Sequence, residues 1–143
     1  MRRLAGPVLL LLLVRCATGA SQTSSPASFA IVGPTVIAFF PPITDAELDR
    51  NPDMNEVLGD FQLYASRAGP RLKQAGIDFE VASAVKFKVR DDRVVRTFKT
   101  GKVGVGYYFV APGKPPHVEY GVHDDLDILD IARKYFQLPI PAA

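Results

Sequence analysis

Hydrophobic positions fall along this chain in blocks whose period changes, and each change marks an element. Thr35-Val36-Ile37-Ala38-Phe39-Phe40 is an unbroken apolar run, which predicts a central strand buried on both faces. Pro41-Pro42 stops it. Thr44 stands three residues before Glu47, the spacing of a capping box, so a helical turn is expected to start there. Asn51-Pro52-Asp53 interrupts, with a second start near Asp53. From Met54, apolar residues recur at Val57, Leu58, Phe61, Tyr64 or Ala65, Ala68 and Leu72, one helical face held for about five turns. Pro70 lies inside that pattern. It lacks an N–H and crowds the Ser66 carbonyl, so the helix is expected to kink there, or to end and restart. Gly76 is the expected stop.

Beyond Gly76 the period shortens to two. Ile77–Val81 and Lys86–Arg90 alternate cleanly, as strands with one buried face do. Asp91-Asp92 reads as a turn, with Val94–Phe98 returning as the second arm of a hairpin, although a partly helical 84–102 stays open. Val105–Val110 is a further apolar strand. A turn follows at Ala111-Pro112-Gly113-Lys114, then a partner strand at His117–Tyr120 ended by Gly121. Asp124-Asp125 opens a last helix carrying Ile128, Leu129, Ala132, Tyr135 and Phe136 on one face. Its aspartates cluster at the start and Arg133 and Lys134 at the end, which complements the helix dipole. The fold class is therefore α/β: one domain at 34–138, with a mixed sheet of about five strands, a long kinked helix and a C-terminal helix. Residues 21–33 read as a flexible leader, with order beginning between Phe29 and Pro34, and 139–143 as a loose tail.

The first twenty residues change the picture of charge. Met1-Arg2-Arg3 followed by the apolar run Leu4–Val14 is the pattern of a secretory signal peptide, too short to span a bilayer. Cleavage after Ala20 is expected, for an exported protein that is periplasmic or secreted. It would remove three of the 17 basic residues and leave 14 against 15 acids, turning a net charge of +2 into −1. The overall basicity then belongs to the signal. Cys16 is the single cysteine and opens an alternative, a lipoprotein anchored at Cys16, though Val14-Arg15 before it is a poor fit. An uncleaved anchor is a third reading. No disulfide can form within one chain.

The order strand, long helix, strand, irregular region, strand, tight turn, strand, glycine, helix resembles the thioredoxin-like fold superfamily. The opening unit is the strand at 35–40 with its long helix. The closing unit is Val105 to Lys114, His117 to Gly121 and the last helix. Together they cover about two thirds of the chain after residue 20. The resemblance implies a redox-inactive member. Where the family carries Cys-x-x-Cys this chain has Phe40-Pro41-Pro42-Ile43-Thr44-Asp45, and where it carries a cis-proline this chain has Gly104-Val105-Gly106. Thiol chemistry needs a sulfur nucleophile, and the expected mature chain has none.

Four features could carry function. The loop Pro41, Pro42, Thr44, Asp45 leaves the carboxyl end of a central strand, where clefts of open α/β sheets form. Gly104 and Val105, with Tyr107 of the aromatic run Tyr107-Tyr108-Phe109, are the second binding candidates. Gly104-Val105-Gly106 lacks the third glycine and the strand-to-helix setting of a nucleotide fingerprint, and reads first as small residues easing a bend. His117, His123, Asp124 and Asp125 are the basis of a metal-dependent alternative, against a plain helix cap. Lys86, Lys88, Arg90 and Arg93 head a basic run over 86–102 that suggests a polyanion binder, glycan or lipid headgroup. Its plain reading is a wet hairpin face whose cations blunt an edge. Export argues against nucleic acid, and no Gly-x-Ser-x-Gly elbow surrounds Ser66 or Ser83. The leading expectation is a non-catalytic binding or accessory protein of the bacterial envelope. It would bind an envelope protein or peptide, use no cofactor, and meet the membrane only if lipidated at Cys16.

Overall fold

The computed structural model describes residues 27–101 and 104–139. The signal segment, Cys16, residues 21–26, Lys102 and the last four residues of the tail lie outside them. In chain order the elements are β1 (Ala27–Ile31), β2 (Thr35–Phe40), α1 (Asp45–Arg50), α2 (Pro52–Gln74), β3 (Asp78–Ser83), β4 (Lys86–Asp91), β5 (Val94–Lys99), β6 (Gly106–Ala111), β7 (Lys114–Tyr120) and α3 (Asp125–Phe136).

The strands form two sheets. One has the order β3-β2-β6-β7, with β2 parallel to β3 and antiparallel to β6, and β6 antiparallel to β7. The other has the order β1-β4-β5, with β1 parallel and β5 antiparallel to β4. This corrects the expected single sheet of about five strands: the described residues hold seven. It also corrects the leader, because 27–31 is a strand rather than a flexible segment. The physical reason is mutual cover. Strands β2 and β6 are apolar on both faces, so the larger sheet needs a layer on each side. Val36, Ala38, Tyr107 and Phe109 pack against Leu58, Phe61 and Leu72 of α2 and Ile128 and Ala132 of α3. Ile37, Phe39, Tyr108 and Val110 turn the other way and meet Ile31, Phe87 and Val89, flanked by Phe29 and Phe98. The small sheet has one apolar face, and it is spent on this contact. The result is three layers: helices, four strands, three strands.

Helix α2 runs unbroken through Pro70, so the expected end and restart does not occur. Gly69 explains the tight fit at that point. A Cβ there would come 2.9 Å from the Phe79 ring, so the glycine lets α2 approach β3 closely. Gly76, with φ +78°, turns the chain out of the helix into β3. The second half of the hairpin region is β-structure as read, with Asp92 at φ +48° in its turn.

Candidate functional site

A cleft of about 620 Å³ opens at the carboxyl ends of the parallel strands β2 and β3. Its walls follow from local sequence. Pro41 and Pro42 end β2 and carry the chain out of the sheet, while the Phe40 carbonyl accepts the Ala84 N–H at 3.1 Å. Thr44 then caps α1 as the spacing predicts. The Glu47 N–H donates to Thr44 Oγ1 at 3.3 Å, and the Thr44 N–H donates to Glu47 Oε2 at 2.8 Å. The Thr44 N–H bond first, and then one from the Thr44 hydroxyl to the same Glu47 Oε2 at 2.9 Å, hold the Glu47 carboxyl below its ordinary range. Asn51 caps α2 by accepting the Met54 N–H at 3.1 Å. The two caps fix α1 and the start of α2 as opposite sides of one opening.

The cleft has an apolar lining from Phe40, Pro41, Ile43, Leu48 and Leu58. Its polar groups are Thr44, Asp45, Asn55, Gln62 and Ser83. All of the loop residues singled out from sequence, Pro41, Pro42, Thr44 and Asp45, line it. The sequence reading missed Leu48, Asn55, Leu58, Gly59, Gln62 and Ser83. A signal was present: Asn55, Gly59 and Gln62 fall at i, i+4 and i+7, a small and polar stripe beside the buried face of α2. Gly59 leaves open space, since a Cβ there would meet nothing within 4 Å. A volume of this size, with apolar walls and a few polar groups, suits an organic ligand or a side chain of a partner.

Gly104, Val105 and Tyr107 sit at the same end of the sheet, Gly106 being paired with Phe39, but they do not line the cleft. The glycines serve close packing. A Cβ on Gly104 would lie 2.0 Å from the Thr100 carbonyl oxygen, and one on Gly106 2.3 Å from that of Glu119. Val105 is buried, and its carbonyl accepts the Gly121 N–H at 2.8 Å. Tyr107 is 0% exposed, packed on Phe61 with ring centroids 5.1 Å apart. Its hydroxyl has no hydrogen-bond partner among the described residues, and burial drives its ionisation far above the ordinary tyrosine range.

The residues of the metal alternative are engaged separately. A ring nitrogen of His123 lies 3.1 Å from the Tyr120 carbonyl oxygen. Asp124 caps α3 by accepting the Asp127 N–H at 2.8 Å, and Asp125 pairs with Arg71 of α2 at 3.1 Å. His117 lies 2.7 Å from Glu119 and stacks on Tyr135. Among the described residues no three His, Cys, Asp or Glu side chains converge as a metal site. Around Tyr135 the contacts are those of a clasp: Lys114 lies over its ring at 4.1 Å, and its hydroxyl donates to the Pro115 carbonyl, fastening α3 to β7.

Lys86, Lys88 and Arg90 project from the outer face of β4, alternating with the buried Phe87, Val89 and Asp91. Arg93 is exposed beside the hairpin turn. Asp91 was read only as a turn residue. It is 7% exposed and accepts the Gly113 N–H at 2.8 Å, so it ties the small sheet to the β6–β7 turn. Among the described residues no helix is long and apolar enough to cross a membrane. No protein-family model, curated protein or solved structure matches the chain.

Proposed function

We propose that this is a non-catalytic, exported binding protein of the bacterial envelope, and that it holds an extended segment of a partner protein in the cleft beside Pro41-Pro42. The observation that carries the reading is the position of that loop. Residues singled out because they follow a doubly buried strand form one wall of a 620 Å³ opening at the carboxyl ends of two parallel strands. The apolar lining takes a side chain. The rim groups, two amides, two hydroxyls and one carboxylate, offer donors and acceptors to a peptide backbone. The thioredoxin-like reading belongs to the same proposal. It is supported by the β2-α2-β3 parallel unit and the β6-β7-α3 antiparallel unit within one sheet. On that framework the cleft loop occupies the place of the redox motif. Residues 27–139 contain no cysteine, so the site is suited to holding a chain and not to thiol exchange.

The test uses Gly59. Gly59→Phe fills the cleft from α2, where the glycine has open space. Wild-type protein immobilised in envelope extract should retain a discrete partner that the Gly59→Phe protein does not. Equal retention by both would defeat the proposal.

A further inference from the structure

We infer that the outer face of the three-stranded sheet docks on an anionic phospholipid surface, independently of the cleft. The strand register defines that face. Ser28 and Ala30 of β1 stand beside Lys88 and Arg90 of β4, and Val95, Thr97 and Lys99 of β5 stand opposite Arg90, Lys88 and Lys86. Four of these eight outward positions are cations and none is acidic. No salt bridge among the described residues involves any of the four. Protection of a sheet edge accounts for Lys99 on β5, but not for Lys86, Lys88 and Arg90, because β4 is the central strand.

One pair works against the fold. The Thr100 N–H donates to the Val85 carbonyl at 2.9 Å, so Val85 and Thr100 are a hydrogen-bonded pair. The next pair, Lys86 and Lys99, is then the closer kind, with Cα atoms about 4.5 Å apart. Like charges directly opposed destabilise a sheet, so folding alone does not call for this arrangement.

Two further observations select a lipid surface over a soluble polyanionic chain. The lysine pair frames a shallow depression of about 250 Å³ whose other walls are Val85 and Gly101. Ammonium groups above an apolar floor suit an amphiphile's phosphate and the glycerol beneath it. The far side of the molecule carries a net negative charge: the three helices hold nine Asp and Glu against six Lys and Arg, and Asp45, Glu47, Asp49, Asp53, Glu56 and Asp60 are all exposed. A protein charged this way is turned by an extended negative plane so that only the small sheet faces it. Along β4 the cations repeat about every 6.8 Å on one face.

Sedimentation of the full chain with vesicles tests this, comparing phosphatidylglycerol mixed into phosphatidylcholine with phosphatidylcholine alone. The first twenty residues carry Arg2, Arg3 and Arg15 and are common to every variant, so they cancel between variants, and that comparison carries the test. Wild type should prefer the anionic vesicles. K88Q/R90Q should lower that binding about thirtyfold, as should Lys99→Glu, since each removes two units of charge from the face. Lys99→Glu should at the same time raise the unfolding midpoint by replacing a repulsion with an ion pair, which a merely damaged fold cannot do. The inference is overturned if vesicle charge makes no difference, or if the variants bind as wild type does. It is also overturned if Lys99→Glu lowers stability and binding together, or if the protein binds heparin but not anionic vesicles.

Discussion

Replacing Tyr107 with phenylalanine separates a functional tyrosine from a structural one. The hydroxyl is buried at the interface of β6 and α2 and has no partner among the described residues. An unpaired buried hydroxyl costs about 1–3 kcal/mol relative to one that water can solvate. Phenylalanine removes that cost and keeps the ring against Phe61, losing only the small contacts of one oxygen. Tyr107→Phe should therefore be more stable at pH 7 by about 1 kcal/mol, or roughly 4 °C in a domain of this size. A second signature lies in alkali. Burial raises the folded ionisation of Tyr107 well above the ordinary value of 10.0. The unfolded chain loses this proton near pH 10 while the folded protein keeps it. Stability from this group is thus complete below pH 10 and falls above it, by about 1.4 kcal/mol per pH unit. The variant should lose that increment of slope. Urea unfolding followed at pH 7 and from pH 9.5 to 11 reads both effects. A variant less stable by more than about 1 kcal/mol, with an unchanged alkaline slope, would show that the hydroxyl is bonded, and the packing argument would fail.

Other substitutions probe how the layers are held. Asp91→Ala removes the acceptor of the Gly113 N–H and should cost about 0.5–1.5 kcal/mol in chemical denaturation, since the exposed Gly113 donor can turn to water. Gly106→Ala places a Cβ 2.3 Å from a backbone oxygen and 2.9 Å from the Phe39 ring. It should destabilise by about 1–3 kcal/mol, whereas Gly59→Ala, in open space within a helix, should stabilise by up to about 1 kcal/mol. The depressed ionisation of Glu47 predicts an acid response. Its contribution to the α1 cap is present above the unfolded value of 4.5 and is lost as pH falls through the lower folded one. Amide exchange in α1 should accelerate over that acidic range while α2 amides stay protected.

What was legible in the sequence was periodicity. The doubly apolar runs of β2 and β6 required cover on both faces, and they have it. The cap at Thr44 sits within reach of Glu47, the residue its spacing names, and Asp124 opens α3 as read; the cap at Asn51 was read only as an interruption. The small sheet was not legible, because strand alternation does not say which strands pair. Lys86–Val89 shows one apolar face, but nothing local says that this face turns toward Ile37 and Phe39 instead of extending the main sheet. Strand β1 was missed for a related reason. Its inward residues Ala27, Phe29 and Ile31 do alternate, yet they follow a serine-rich stretch that reads as leader. At the site, the loop from Pro41 to Asp45 was visible as a strand stop followed by a cap. The opposite wall was not, because Asn55, Gly59 and Gln62 lie on the side of α2 that the hydrophobic pattern marks only as solvent-facing. Tyr107, named as a binding candidate, packs on Phe61 in the core; a strand's alternation does not tell which of two buried faces an aromatic ring takes.

Site-specific photocrosslinking in envelope extract tests the central claim most directly. A benzophenone side chain is placed at position 42, on the cleft wall, or at position 126, exposed on α3. The cleft reading predicts a discrete crosslinked partner from position 42, absent from position 126 and abolished by Gly59→Phe in the same chain. The same products from both positions, or products at position 42 that survive the filled cleft, would contradict it.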